Sequence, residues 1–179
     1  ATIDVYCTSD EALDRHGMGG LERGSLLVQY LQTRDPKLCR FVAGKHPTKF
    51  TVGHIPTSLY LRHVQAVPEA ERPLRAFALA VQKIEALDLG SGPMEVRPAG
   101  RMSTSAGEVP MWTDEQIDQL PPIYLMEIGT VALERSFLGP SIAGTYQPPP
   151  TLARALAQVL ARDAVMDGAT KPPPAPKSE

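Results

Sequence analysis

The stretch Pro68–Leu87, PEAERPLRAFALAVQKIEAL, has the strongest helical pattern in the chain, and the fold class turns on it. Leu74, Phe77, Val81 and Ile84 step by three, four and three, the spacing that aligns side chains on one face of a helix. Arg75, Gln82, Lys83 and Glu85 then point mostly outward. Pro73 fits the first turn, where its missing N–H costs nothing. The sequence LGSGP, Leu89–Pro93, closes the element. Read as one helix, this stretch predicts an α+β fold that is mainly helical.

The second deciding stretch is Leu120–Ser141, LPPIYLMEIGTVALERSFLGPS, the most apolar part of the chain. Ile123, Tyr124, Leu125, Met126, Ile128, Val131, Leu133, Phe137 and Leu138 nearly encircle a helix drawn through it. Glu127, Glu134 and Arg135 interrupt the run, which falls short of the roughly 18 apolar residues a membrane span needs. A helix that is apolar all round, yet cannot cross a bilayer, is buried on several sides. It is therefore the domain's central helix or completes a core with another subunit, with Ile123, Met126, Ile128, Val131 and Phe137 as contact residues. Glu127 and Glu134 are seven apart and share a stripe with Thr130. Two such carboxylates could do acid–base work. They also occupy the positions where a largely buried helix keeps its one solvated or salt-bridged edge, and that is the reading preferred.

Working toward the N-terminus, Thr48–Pro56 (TKFTVGHIP) alternates Phe50 and Val52 against polar residues and reads as a strand over 48–55. Thr2–Cys7 (TIDVYC) is a second short strand candidate. Between them Leu21–Arg34 reads as a helix with Leu27, Tyr30 and Leu31 on one side, stopped by Asp35–Pro36. After the first strand, Pro56–Val67 (PTSLYLRHVQAV) predicts a helix capped by Thr57 or Ser58. Met94–Pro110 is poor in large apolar residues and reads as a short strand and then an exposed loop. Thr113 and Gln116 have capping-box spacing.

Toward the C-terminus the expectation is a globular domain over 1–139, a proline-rich linker over 140–150, an amphipathic helical arm over 151–166 and a disordered tail over 167–179. QPPP at Gln147–Pro150 favours a stiff, extended chain. Leu152, Leu156, Val159 and Leu160 form one apolar stripe, with Arg154, Gln158 and Arg162 opposite, so the arm is expected to dock on another subunit or partner. The terminal KPPPAPKSE cannot build a core.

Composition narrows the function classes. Hydrophobic residues make up 42% of 179, enough for a real core. Eighteen Lys and Arg against 20 Asp and Glu argue against a dedicated polyanion surface, so nucleic acid is not an expected partner. The densest basic run, Arg34, Lys37, Arg40, Lys45 and Lys49, reads as a solvated connection. Cys7 and Cys39 lack CxxC spacing and read as free, buried or half-buried thiols, consistent with a reducing compartment. The N-terminal sequence has no basic and then apolar region of a secretory leader. No phosphate-binding glycine loop, dinucleotide fingerprint, nucleophile elbow, zincin or calcium-loop spacing is present. Of His16, His46, His54 and His63, only His54 and His63 could meet, across a strand-to-helix turn, and zinc would need two more ligands. No metal and no cofactor is expected.

The segments KFTVGHIP, a following helix, RAFALAVQKIEAL and LPPIYLMEIGTVALERSFLGP, in that order, resemble small proteins of tailed-bacteriophage morphogenesis modules over roughly Thr48 to Gly139. In those proteins a Lys-Phe strand precedes an apolar helix that carries a proline and an EIG triplet. The resemblance implies a non-enzymatic role in virion structure or assembly, acting through surfaces, with no catalytic residues to carry over. Its expected partners are other virion or assembly proteins in a homo- or hetero-oligomer, in the virion or the host cytoplasm. A tail-assembly chaperone is one alternative, although the long proline-rich C-terminal arm departs from a compact chaperone. The other alternative is a small metal- or ligand-binding enzyme domain with its pocket near His54, His63 and the Met94–Pro110 loop.

Overall fold

Pro68–Leu87 is a helix for only half its length. The computed structural model describes residues 1–137, Arg154 and 157–163. In it, helix α3 spans Arg72–Ala80 and the chain turns at Val81 directly into an eight-residue strand, Val81–Asp88. Tertiary partners stop the helix. The Ala80 carbonyl accepts from the Gly53 N–H at 2.7 Å, and the Val81 carbonyl accepts from the Trp112 indole N–H at 2.9 Å. Val81 and Ile84 are β-branched and favour a pleated, packed surface over a helix.

That strand, β3, is central to a four-stranded antiparallel sheet ordered β1-β2-β3-β4, with β1 at Ile3–Tyr6, β2 at Lys49–Val52 and β4 at Pro93–Val96. Strands β5 (Gly100–Thr104) and β6 (Gly107–Met111) form a separate hairpin. Thus the short strand expected at the start of 94–110 is β4, and the expected loop after it is largely strand. Its turn uses Gly107 at φ 120, Thr104 Oγ1 donates to the Gly107 carbonyl at 2.7 Å, and Met102 pairs with Val109 on the side facing the core. These corrections overturn the mainly helical class with strands near the N-terminus and at 48–55. The fold is α+β, strands continue through 111, and helices do not dominate.

The remaining helices follow local chemistry more closely. Helix α1, Leu26–Thr33, starts at Ser25, whose hydroxyl accepts from the Val28 N–H, and buries Leu27, Tyr30 and Leu31. It starts later than expected because Gly24 sits at φ 85, outside the helical region. Helix α2 is short, Thr57–Leu59, and runs into a π-helical turn at Tyr60–Val64; Pro56, not Thr57 or Ser58, is at its N-cap and makes no side-chain bond. Helix α4, Asp114–Asp118, carries the complete capping box of Thr113 and Gln116.

Helix α5, Pro122–Phe137, packs with α3 on one face of the sheet. Gly129 allows their closest approach: a Cβ there would lie 2.9 Å from Pro73 Cα and closer still to its carbonyl. Residues 127–132 are all buried, so the middle of α5 is covered on every side within this chain. The main core joins Val5, Phe50, Val52, Ile84 and Leu87 of the sheet to Ala76, Phe77 and Ala80 of α3 and Ile128, Val131 and Ala132 of α5. Phe50, Phe77, Tyr124 and Trp112 meet edge-on or tilted, with centroids 5.6 to 6.3 Å apart. Each fully buried large side chain contributes about 1.5–3 kcal/mol. A second, smaller core gathers Leu13, Met18, Leu27, Tyr30, Leu31 and Cys39 around α1.

Candidate functional site

The two cores meet at a buried polar cluster. Glu127, in the middle of α5, is 1% exposed, so of the solvated or salt-bridged edge expected there it is the salt-bridged form that occurs. Its carboxylate accepts from the Thr8 N–H at 2.9 and 3.0 Å, from Thr8 Oγ1 at 2.9 and 3.0 Å, and from Arg34 Nη1 at 2.8 Å. Arg34 is itself 5% exposed, which corrects its placement in a solvated basic run. It caps the C-terminal end of α1 in the left-handed region at φ 52, with its N–H bonded to the Tyr30 carbonyl at 2.7 Å. Glycine is the usual residue there. Arginine stands in its place because the side chain is required inward, across the Tyr30 ring at 5.3 Å and on to Glu127.

From Thr8 the network continues outward. The Thr8 and Asp10 carbonyls both accept from Arg15 Nη1, at 2.8 and 2.7 Å. The Asp10 carboxylate takes the Ala12 N–H at 2.9 Å and the Thr48 N–H at 2.8 Å, pinning the irregular segment after β1 to the start of β2. The other edge of Arg15 meets Asp163, with Nε at 2.7 Å from Oδ2 and Nη2 on the same oxygen. Tyr30 completes the joint. Its hydroxyl donates to the Tyr6 carbonyl at 2.6 Å and accepts the Tyr6 N–H at 2.7 Å, occupying backbone groups that the edge strand β1 would otherwise leave open.

Enclosure governs the titration of this region. Burial pushes the Cys7 thiol well above its ordinary value, with the Glu127 charge adding to it. Burial likewise pushes Cys39 up to about 11 and raises Tyr30 and Asp10. Both cysteines are free, buried thiols, neutral at physiological pH and therefore poor nucleophiles. Glu127 offers no open acceptor to a substrate. Its oxygens are filled by Thr8 and Arg34, and the arrangement fastens α1, α5 and the segment after β1 to one another. Glu134 lies half-buried on the same stripe, two helical turns or about 10 Å of axis further along. The pair of glutamates does not form a shared site.

The histidine region lies elsewhere. His54, exposed on the loop after β2, lines an open cleft of about 620 Å³ with Thr57, Ser58, Gln82 and the hairpin-turn residue Ala106. His63 is exposed on the π-helical turn and is not among the residues lining the cleft. Among the described residues, no group of three or more His, Cys, Asp and Glu is placed to hold a metal ion, and no helix is long and apolar enough to cross a membrane.

The expected contact residues divide by burial. Ile128 and Val131 belong to the chain's own core at 0% and 2% exposure, Ile123 is half-buried, and Met126 is exposed at 39%. The Phe137 side chain, Leu152 and Leu156 lie outside the described residues, as do the expected linker over 140–150 and tail over 167–179. Residues 157–163 are helical; Val159 is half-buried, and Leu160 packs against the α1 core of the same chain. Sequence reading missed Thr8, Asp10, Arg15 and Arg34 as cluster members. One signal was available: a glutamate within MEIGTVA, on a helix expected to be buried all round, requires a buried cation. Comparison with family models, with curated proteins and with solved structures found no match.

Proposed function

We propose that this protein is a non-enzymatic structural or assembly subunit of a tailed-bacteriophage particle that works through subunit contacts. One observation carries the non-catalytic part. The residues best suited to chemistry, Glu127, Arg34, Thr8 and Arg15, are buried and used against one another, so their polar groups hold the fold together. The particle setting rests on the resemblance of the segments between Thr48 and Gly139 to morphogenesis-module proteins. Large apolar side chains exposed on several elements, among them Leu61, Leu74, Met111 and Met126, give such a subunit surface to bury. Size-exclusion chromatography with light scattering, alone and after co-expression with the products of the flanking genes, tests the reading. A concentration-dependent oligomer or a stable complex with a flanking product is expected. A monomer at high concentration that binds none of them overturns it.

The cleft beside His54 favours a second reading, a small ligand-binding domain. Its polar lining by His54, Thr57, Ser58 and Gln82 suits a small hydrophilic molecule. Elemental analysis and native mass spectrometry of the purified chain separate the two readings. A stoichiometric metal or small molecule that is lost in His54→Ala promotes the second.

A further inference from the structure

Arg154 and residues 157–163 are helical, and a surface segment of this kind takes its order from where it docks more than from helix propensity. Its seat is specific. Leu160 packs into the α1 core, and Asp163 takes the fork of Arg15, a side chain only 6% exposed that is held on its other edge by the Thr8 and Asp10 carbonyls. Among residues 157–163, 157, 158, 161 and 162 are exposed and 159, 160 and 163 form a narrow covered stripe. The receptor is therefore built into the polar cluster, and the described occupant meets it through one leucine and one carboxylate.

We propose that this seat is an exchange site, closed by the chain's own 157–163 in the free protein and taken by the same segment of a second copy on assembly. Because the copies are identical, a neighbour's helix finds the same leucine contact and the same Arg15 fork, which makes exchange a low-cost route to association. Residues 138–153 lie in sequence between α5 and helical Arg154 and include Pro140 and Pro148, Pro149 and Pro150. A chain of that length, extended at about 3.1 Å per residue, spans on the order of 50 Å, enough to reach an adjoining subunit. A tethered segment has an effective concentration on the order of millimolar, so the chain's own helix wins in dilute solution. Between copies held side by side the neighbour's helix competes on equal terms. The inference rests on the reading of the protein as an assembling subunit.

Two exposed positions flank the contact without belonging to it: His16 beside Arg15, and Arg162 beside Asp163. Full-length chains carrying either His16→Cys or Arg162→Cys, one of them tagged to differ in size, are mixed and treated with a short bismaleimide, the native thiols being buried. A product joining the two chains is expected in the assembled fraction, and Asp163→Ala on the Arg162→Cys chain lowers its yield by about tenfold or more. A chain carrying both cysteines reports self-closure in dilute solution. Cross-linking confined to single chains in an assembled sample overturns exchange and leaves the assembly reading standing. A chain that stays monomeric up to millimolar concentration removes both.

Discussion

Helix α5 and strand β3 pack into the same core, one enclosed all round and the other buried at every third residue. In β3 the buried residues are Val81, Ile84 and Leu87, three apart each time. An ideal strand turns alternate residues inward. Two β-bulges reset the phase here. Against β2, Lys83 pairs with Thr51 but Val81 with Val52, so Gln82 is the extra residue. Against β4, Ile84 pairs with Val96 but Leu87 with Met94, so β3 again carries one more residue than its partner. At the second bulge Ala86 takes φ 56, and Thr48 Oγ1 donates to its carbonyl at 3.2 Å. In α5 the chain remains helical from Pro122 to Phe137 and the middle is enclosed on all sides, down to its one buried carboxylate. Periodic burial is thus a property of what lies opposite an element. A twice-bulged strand can continue the spacing with which α3 buries Pro73, Ala76, Phe77 and Ala80.

The comparison is broken most forcefully by placing a charge in the enclosed part of α5. Ile128→Asp or Val131→Asp leaves a carboxylate without a partner among apolar groups, at a cost of several kcal/mol that a domain stable by about 5–15 kcal/mol barely survives. Loss of the cooperative melt, or insolubility, is the expected outcome. A soluble variant as heat-resistant as the parent would remove α5 from the core.

Next in size is the charge that α5 does accommodate. Glu127→Gln preserves shape but removes the carboxylate charge that faces the buried Arg34 cation at 2.8 Å, and about 3–5 kcal/mol of stability should go. Replacing both partners, Glu127→Leu with Arg34→Met, should recover most of that loss, because an apolar pair of similar volume is often as stable as a buried ion pair. Urea midpoints at equal slope measure both. Equal loss in the single and double variants would mean that Thr8, not the ion pair, is what Glu127 serves. Gly129→Ala is smaller. The added methyl meets the Pro73 backbone and forces α3 away from α5, costing about 1–3 kcal/mol in the melting transition.

How much of this was legible depends on whether the deciding interaction is local. The Leu27, Tyr30 and Leu31 face of α1, the capping box at Thr113, the alternation at Phe50 and Val52 and the enclosure of α5 all follow from neighbouring residues, and they could be read; the start of α1 at Ser25 was not. Three features depend on remote partners. The end of α3 depends on Gly53 and Trp112, the hairpin at 100–111 on the core beneath Met102 and Val109, and the Glu127 cluster on Thr8 and Arg34, far away in sequence. Leu74 and Phe77, followed by Val81 and Ile84, fit a helix because the bulges in β3 reproduce helical spacing. The β-branched pair Val81 and Ile84 was the sequence's contrary signal, outweighed by the period.

The smallest effect gives the sharpest discrimination, because the two descriptions of 72–88 differ in its sign. Within a helix, Ala→Gly costs roughly 1 kcal/mol, through backbone freedom lost on folding. Ala78→Gly, in the interior of α3, should show that loss. Ala86 stands at φ 56, where an alanine Cβ crowds the carbonyl and glycine does not. Ala86→Gly removes that strain, about 1 kcal/mol, while increasing the freedom of the unfolded chain, so the net should be neutral to stabilising by about 0.5 kcal/mol. The two variants, measured side by side in urea, should therefore move the midpoint in different directions or one of them not at all. Equal destabilisation by both would restore a continuous helix through Leu87, and with it would fall the bulged strand at the centre of the sheet.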